Sequence, residues 1–206
     1  EAESARVALG TKQLGEARVG MLVKFGAYEQ DNNLQNGSEL IEWIVLAKEG
    51  DDLLLLSKAG LDAQPFNSVR EEVTWADSTL RVWLEETFLQ TAFADAELTK
   101  IVQTAVENPA NPFFGTPGGP ATKDRLFLLS LEEAEAYASF DKGRPLSVSL
   151  YAQARGASGW WRLRSPGYYQ DYAAGVLSFG PLYPMGLPVD YAYATIRPAL
   201  WVKASD

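Results

Sequence analysis

Residues 41–57, IEWIVLAKEGDDLLLLS, decide the class of fold. Two apolar runs, Ile41 to Ala47 and Asp52 to Ser57, flank Lys48-Glu49-Gly50-Asp51, whose charges and glycine suit a turn. Runs of this length at this spacing predict a β-hairpin. Toward the N-terminus, Val19 to Gly26 reads as a first strand ending at its glycine. Asp31-Asn32-Asn33 and Asn36-Gly37-Ser38 then supply turn chemistry, because Asn and Gly tolerate positive φ and Asx side chains cap tight loops. Residues 1–18 are polar with scattered alanines and read as an extension or linker, leaving 19–206 as the domain.

Beyond the hairpin the pattern changes period. Asp77 or Ser78 can cap a helix in which Leu80, Trp83, Leu84, Thr87 and Phe88 fall on one face. A second helix is expected from Asp95, with Leu98, Ile101, Val102 and Ala105 as its stripe and Asn108-Pro109 as its stop. The Pro/Gly-rich stretch 108–122, NPANPFFGTPGGPAT, reads as a surface loop. Arg125 to Leu129 is strand-like, and Ser130-Leu131-Glu132-Glu133 has the capping-box pattern that opens a short helix through Tyr137. Strands are expected again at Ser147 to Tyr151, Trp160 to Arg164 and Ile196 to Lys203. Strands, then helices, then a loop, then strands is the order of an α+β fold and argues against a parallel βαβ sheet.

Composition narrows the chemistry. The chain has no Cys and no His, which removes disulfides, thiolate nucleophiles, Cys-based metal sites and the commonest general base. Ser–His–Asp and Cys–His catalysis are thereby excluded. The carboxylate pairs Glu71-Glu72, Glu85-Glu86 and Glu132-Glu133 are adjacent in sequence, so on a helix they point apart. A net charge of -9 without a Lys/Arg run argues against nucleic acid. No apolar stretch approaches the roughly 20 residues of a membrane-spanning helix, and no basic region followed by an apolar one marks a signal peptide. Asp31, Asp51 and Asp52 could contribute to a calcium site, but their spacing matches no known loop, so no metal and no cofactor is expected.

The unusual segment is 168–194, YYQDYAAGVLSFGPLYPMGLPVDYAYA. It holds six of the nine tyrosines and only two charged residues, Asp171 and Asp190. Tyrosine offers a large, stiff, amphipathic surface at low entropic cost, and Gly, Ser and Asp add adaptable polar contacts, as in antibody paratopes. The expected contact residues are Tyr168, Tyr169, Asp171, Tyr172, Leu177, Phe179, Tyr183, Asp190, Tyr191 and Tyr193. The competing reading places these tyrosines half-buried on strands, where aromatics are favoured anyway. Trp75, Trp83, Trp160, Trp161 and Trp201 read as core, and Arg81, Arg164 and Arg197 as clamps between loops and core.

Several segments together carry a family resemblance. They include Phe25-Gly26-Ala27-Tyr28, Glu42-Trp43-Ile44-Val45-Leu46, Thr74-Trp75 and Ser78-Thr79-Leu80-Arg81-Val82-Trp83-Leu84. Trp161-Arg162-Leu163-Arg164-Ser165-Pro166-Gly167 and Ile196-Arg197-Pro198-Ala199-Leu200-Trp201 complete the set. Over residues 19–203 the chain resembles a bacterial domain family with a Trp-Trp-Leu-Arg-Ser-Pro-Gly motif, a variable stretch, and Gly-Val-Arg-Pro-Ala-Leu. It departs from that pattern in having Trp-Trp-Arg-Leu-Arg and in placing Thr195-Ile196 where Gly-Val is usual.

The resemblance implies a C-type-lectin-like fold: mixed antiparallel strands with two main helices, long C-terminal loops, and two termini that pair as strands. It also implies kinship with the variable proteins of diversity-generating retroelements, in which a reverse transcriptase rewrites adenines of a C-terminal repeat. Ala173, Ala174, Val176, Gly180, Gly186 and Val189 would then be fixed and the intervening positions variable. Randomised Asn codons cannot reach Lys, Glu, Gln, Trp or Met; in 168–194 only Gln170 and Met185 belong to that set, against about five expected from whole-chain composition. The function implied is non-enzymatic recognition of a protein or glycan ligand, by a protein displayed on a cell surface, secreted or carried on a virion. A carbohydrate-binding module and a structural module of a surface or virion protein are the alternatives.

Overall fold

The structure is a computed structural model that describes residues 2–138 and 144–205. It begins with helix α1 (Ala2–Gly15), which packs on strand β1 (Leu22–Tyr28). Strands β2 (Glu39–Glu49) and β3 (Asp52–Ser57) form the hairpin read from residues 41–57, with Glu49 opposite Asp52 at its turn. Two short strands follow, β4 (Ala59–Gly60) and β5 (Asp62–Ala63). The helical part comprises α2 (Thr79–Trp83), a π turn (Leu84–Phe88), α3 (Leu89–Ala92) and α4 (Asp95–Leu98). Then come β6 (Ile101–Val102), β7 (Thr104–Val106), β8 (Thr122–Asp124) and α5 (Leu131–Ala136). The C-terminal part contains β9 (Ser147–Val148), α6 (Leu150–Ala154), β10 (Trp161–Pro166), β11 (Tyr172–Val176), β12 (Leu182–Pro188), β13 (Thr195–Ile196) and β14 (Ala199–Lys203).

These strands build two five-stranded sheets. The first has the order β1-β2-β3-β14-β6, antiparallel throughout. The second has the order β12-β11-β10-β13-β5, antiparallel except for the β10–β13 pair. Val45, Leu53, Leu55, Leu200 and Val202 of the first sheet and Trp161, Leu163 and Val176 of the second belong to one buried cluster. The helical segment completes it with Leu80, Leu84, Phe88 and Leu89. The fold is therefore α+β with a mainly antiparallel plan. No helix among the described residues is long and apolar enough to cross a membrane.

Local chemistry explains where the elements begin and bend. Ser78 caps α2, its Oγ accepting from the N–H of Arg81 at 3.2 Å. The capping box forms at α5: Ser130 accepts from the Glu133 N–H at 3.1 Å, and the Glu133 carboxylate accepts from the Ser130 N–H at 2.9 Å. Gly26 sits at the irregularity of β1 with φ 69°, where a Cβ would meet the Phe93 ring at 2.6 Å, so only glycine fits. Trp43 donates its indole N–H to the Phe25 carbonyl at 2.6 Å.

Several expectations are corrected. Residues 1–18 carry α1, with Leu14 and Ala17 buried in the core and Arg6 paired with Glu97 at 2.8 Å. The buried Glu97 carboxylate also accepts from the N–H groups of Gly26 and Ala94, tying α1, β1 and α4 together. The second predicted helix lasts one turn. Ile101 and Val102 pair instead with Val202 and Trp201, because β14 needs a hydrogen-bonding partner on its free edge and β-branched residues suit that place. Ser147 to Tyr151 divides into β9 and the start of α6, where Ser149 caps by accepting from the Ala152 N–H. Arg125 to Leu129 makes an isolated bridge, Phe127 with Ala199, and no longer strand. The first and last strands lie in one sheet without touching: β14 pairs with β3 and β6, and β2 and β3 stand between it and β1. Segment 168–194 is less loop than expected, since β11 and β12 run through it.

Candidate functional site

Strands β10, β11 and β12 organise the tyrosine-rich segment. Trp161, Val176 and Leu182 stand opposite one another on the face toward the core. Arg162, Gly175 and Tyr183 form the neighbouring row on the opposite face. Every residue expected to be fixed is buried: Ala173, Ala174, Val176 and Val189 are wholly inaccessible, and Gly180 and Gly186 are buried glycines of positive φ. None of the ten expected contact residues is buried. Tyr168, Tyr169, Leu177, Phe179, Asp190 and Tyr193 are exposed, Phe179 most of all at 79%, and Asp171, Tyr172, Tyr183 and Tyr191 are half-buried.

The ten residues do not all meet. Tyr168, Tyr169 and Asp171 lie in the β10–β11 turn, and Leu177 and Phe179 in the β11–β12 turn. These turns cap opposite ends of β11, roughly 13 Å apart at the strand rise. Asp190, Tyr191 and Tyr193 lie on the segment that returns from β12 to β13, which pairs in parallel with β10. Tyr191 and Tyr193 meet edge to face at 5.7 Å, and the Tyr193 ring covers Gly156. Only Tyr172 and Tyr183 are half-buried strand tyrosines, so the strand-packing reading accounts for two positions of the ten.

At the β10–β11 end the rings form a continuous ladder that extends beyond the expected residues. Tyr172 meets Tyr169 at 5.7 Å, Tyr169 meets Tyr168 at 4.5 Å, and Tyr168 meets Phe114 at 4.8 Å, each edge to face. Phe113 continues it at 6.5 Å from Phe114. The Arg70 guanidinium lies over the Tyr172 ring and bonds Asp171 at 3.0 Å, which raises its pKa further above the usual arginine value. Arg70, Phe113 and Phe114 were not legible as site residues. The doubled phenylalanine between Pro112 and Gly115 was a usable signal, since two adjacent rings in a Pro/Gly loop have no core to enter. Arg70 gives none, being 101 residues from its partner.

The loop 108–122 is tied down to present those rings. The buried Asn111 amide donates to the carbonyls of Pro166 at 2.8 Å and Pro184 at 2.9 Å, joining the end of β10 to β12. Thr116 donates to the Tyr168 carbonyl, and Gln170 to those of Pro117 and Val73. The arginines expected as clamps behave as such. Arg164 bonds the Leu128 and Glu107 carbonyls and pairs with Glu133. Arg81 pairs with Asp124 at 2.7 Å, and Arg197 bonds the Ser57 carbonyl. Trp75, Trp160 and Trp161 are buried, and Trp83 and Trp201 are partly so.

The acidic residues do not assemble as the calcium reading required. Asp31 follows β1, whereas Asp51 and Asp52 lie beyond the far end of β2, on the order of 30 Å away along that strand. Asp31 instead neighbours Glu29 and Glu39, with carboxylate oxygens within 4.8 Å of one another. These oxygens accept from the chain N–H groups of Gln30, Asp31 and Asn33. Burial and the adjacent Glu39 charge raise the Glu29 pKa.

The family model described as "Domain of unknown function (DUF6273)" matches residues 50–204, and the chain belongs to that family. No curated protein and no solved structure gives a significant match.

Proposed function

We propose that this member of the DUF6273 family is a ligand-binding protein of C-type-lectin-like fold whose recognition surface is the aromatic face of segment 168–194. In this reading a diversity-generating retroelement varies the surface, and the protein works at a cell surface, in secretion or on a virion. One observation carries the proposal: every residue the scheme fixes (Ala173, Ala174, Val176, Gly180, Gly186 and Val189) is buried, and none of the expected contact residues is. The ten contact positions can therefore accept substitution without loss of core, whereas Gly175 and Ala194, which the scheme does not fix, are buried and tolerate little change. The edge-to-face ladder from Phe113 to Tyr172 adds a broad aromatic surface suited to a protein partner.

The genomic sequence around the gene tests the diversification. A near-copy of the segment encoding residues 160–200, differing almost only at its adenines and lying beside a reverse transcriptase, is the expected finding. Its differences should map to exposed and half-buried positions and spare the six residues expected to be fixed, together with buried Gly175 and Ala194. Absence of both the repeat and the enzyme leaves a fixed site, to be tested by binding to candidate target cells before and after simultaneous alanine substitution of Tyr168, Tyr169 and Tyr193. A glycan array distinguishes the carbohydrate alternative.

A further inference from the structure

Arg162 differs from the other wholly buried arginine, Arg197, in its unmet donors. Its side chain is wholly buried, yet no carboxylate pairs with it among the described residues. One terminal nitrogen donates to the Tyr191 carbonyl at 3.1 Å and, at 3.4 Å, to that of Pro188. Among the described residues its Nε and Nη1 have no acceptor, and neither does the indole N–H of buried Trp160. The guanidinium carbon lies 4.9 Å from the Trp160 ring and 6.0 Å from that of Phe66. Gly175, directly opposite Arg162, makes room for the Trp160 ring, because a Cβ there would come within 2.2 Å of it. Unsatisfied donors of one charge, held in an aromatic wall under the Tyr191 segment and in the row of Tyr183, are an arrangement that lacks an acceptor.

We infer that Arg162 and Trp160 form a carboxylate-binding subsite beneath the recognition surface, reached by displacement of the Tyr191 segment. Burial draws the Arg162 pKa down to about 9, so the group is cationic at neutral pH and gains from an anion that replaces its lost hydration. A carboxylate suits the set because it is planar and offers two acceptor oxygens to a guanidinium edge. Asp190, the nearby exposed acid, makes no hydrogen bond to Arg162. Arg164, two residues on, has its Glu133 counter-charge, so a missing acid is not a general habit of this strand. The inference rests on the recognition reading only for where the ligand approaches.

The test is a titration of the full chain with sodium acetate at constant ionic strength, with sodium chloride as the control. The tryptophan indole N–H signals are followed by NMR, and W160F assigns the one that matters. Acetate should shift the Trp160 signal saturably, with a Kd on the order of 10 mM, while the already bonded Trp75 and Trp43 signals stay in place. R162Q should abolish the response. R162K, which keeps the charge without the two-pronged edge, should weaken it by roughly tenfold. A glutamate capped at both ends is the second probe. Its binding assigns the subsite to acidic side chains of a protein partner, and acetate binding alone assigns it to small free carboxylates. No saturable shift, an equal shift with chloride, or an acetate response unchanged in W160F and in R162K overturns the inference. Any of these leaves the recognition surface to be judged by its own binding experiment.

Discussion

The two five-stranded sheets of this chain are built on the same plan and used differently. The β1-β2-β3-β14-β6 sheet holds its centre together with aliphatic side chains: Leu53, Leu55, Leu56, Leu200 and Val202 are almost wholly inaccessible, and its long hairpin is closed by a simple charged turn. The β12-β11-β10-β13-β5 sheet packs Trp161, Leu163, Ala173, Ala174, Val176 and Ile196 into the same core, buries Arg162 and Arg164 beside them, and gives its turns to tyrosine and phenylalanine. A sheet can carry costly features such as a bare buried guanidinium and a solvent-facing ring ladder when its inner row is well packed. The difference teaches that stability and recognition are separated here along the strands: β11 is buried on both faces from Ala173 to Val176, and the exposed rings stand in the turns at its two ends.

That comparison can be broken or sharpened. The largest effect is expected from Trp161→Ala, which empties the inner row and should lower unfolding stability by about 3–5 kcal/mol in urea denaturation; a loss below 1 kcal/mol would mean the second sheet does not depend on its inner row. Asn111→Ala should cost about 1–3 kcal/mol by leaving the Pro166 and Pro184 carbonyls without a donor. It should also speed amide exchange at residues 113–116 more than anywhere in β2 or β3. The third concerns Tyr28 of β1, whose hydroxyl donates to the buried Asp62 of β5 at 2.6 Å and so joins the sheets. Burial first, and then the Asp62 charge, raise the Tyr28 pKa well above 10.0. The folded state therefore holds a proton that the unfolded chain releases. Stability is complete below pH 10 and falls above it by about 1.4 kcal/mol per pH unit, a slope that Tyr28→Phe should remove. The smallest effects are expected from Tyr169→Ala, Phe179→Ala and Tyr193→Ala, each within about 0.5 kcal/mol of the parent. A thermal-melt series in which any of these approached the Trp161→Ala loss would merge the core and the turns that the comparison separates.

Much of this arrangement was legible in the chain itself. The hairpin at 41–57 and the Ser78 and Ser130 caps follow from local periodicity and from side chains that act on neighbours within a few residues, and the buried tryptophans and clamping arginines follow from residue type, although their partners lie far along the chain. The α1 helix was not legible, because its polar, alanine-containing sequence has a weak stripe and is held by Arg6 reaching Glu97, 91 residues away. Ile101 and Val102 were misread for a related reason: their spacing suits a helix, but the vacant edge of β14 captures them as a strand.

The candidate site shows the same division. Composition alone picks out 168–194 and its tyrosines, since residue type reports directly on contact surface, and the family resemblance, not composition, names the six residues expected to be fixed. Tertiary structure decided that Tyr168 and Phe179 occupy opposite ends of one strand, that Phe113 and Phe114 extend the ladder, and that Arg70 closes it. Packing also left Arg162 buried without an acid while Arg164 received one. Sequence determines what each side chain can do; which partner it meets across a hundred residues is set only when the sheets close, because those contacts depend on register and not on spacing along the chain.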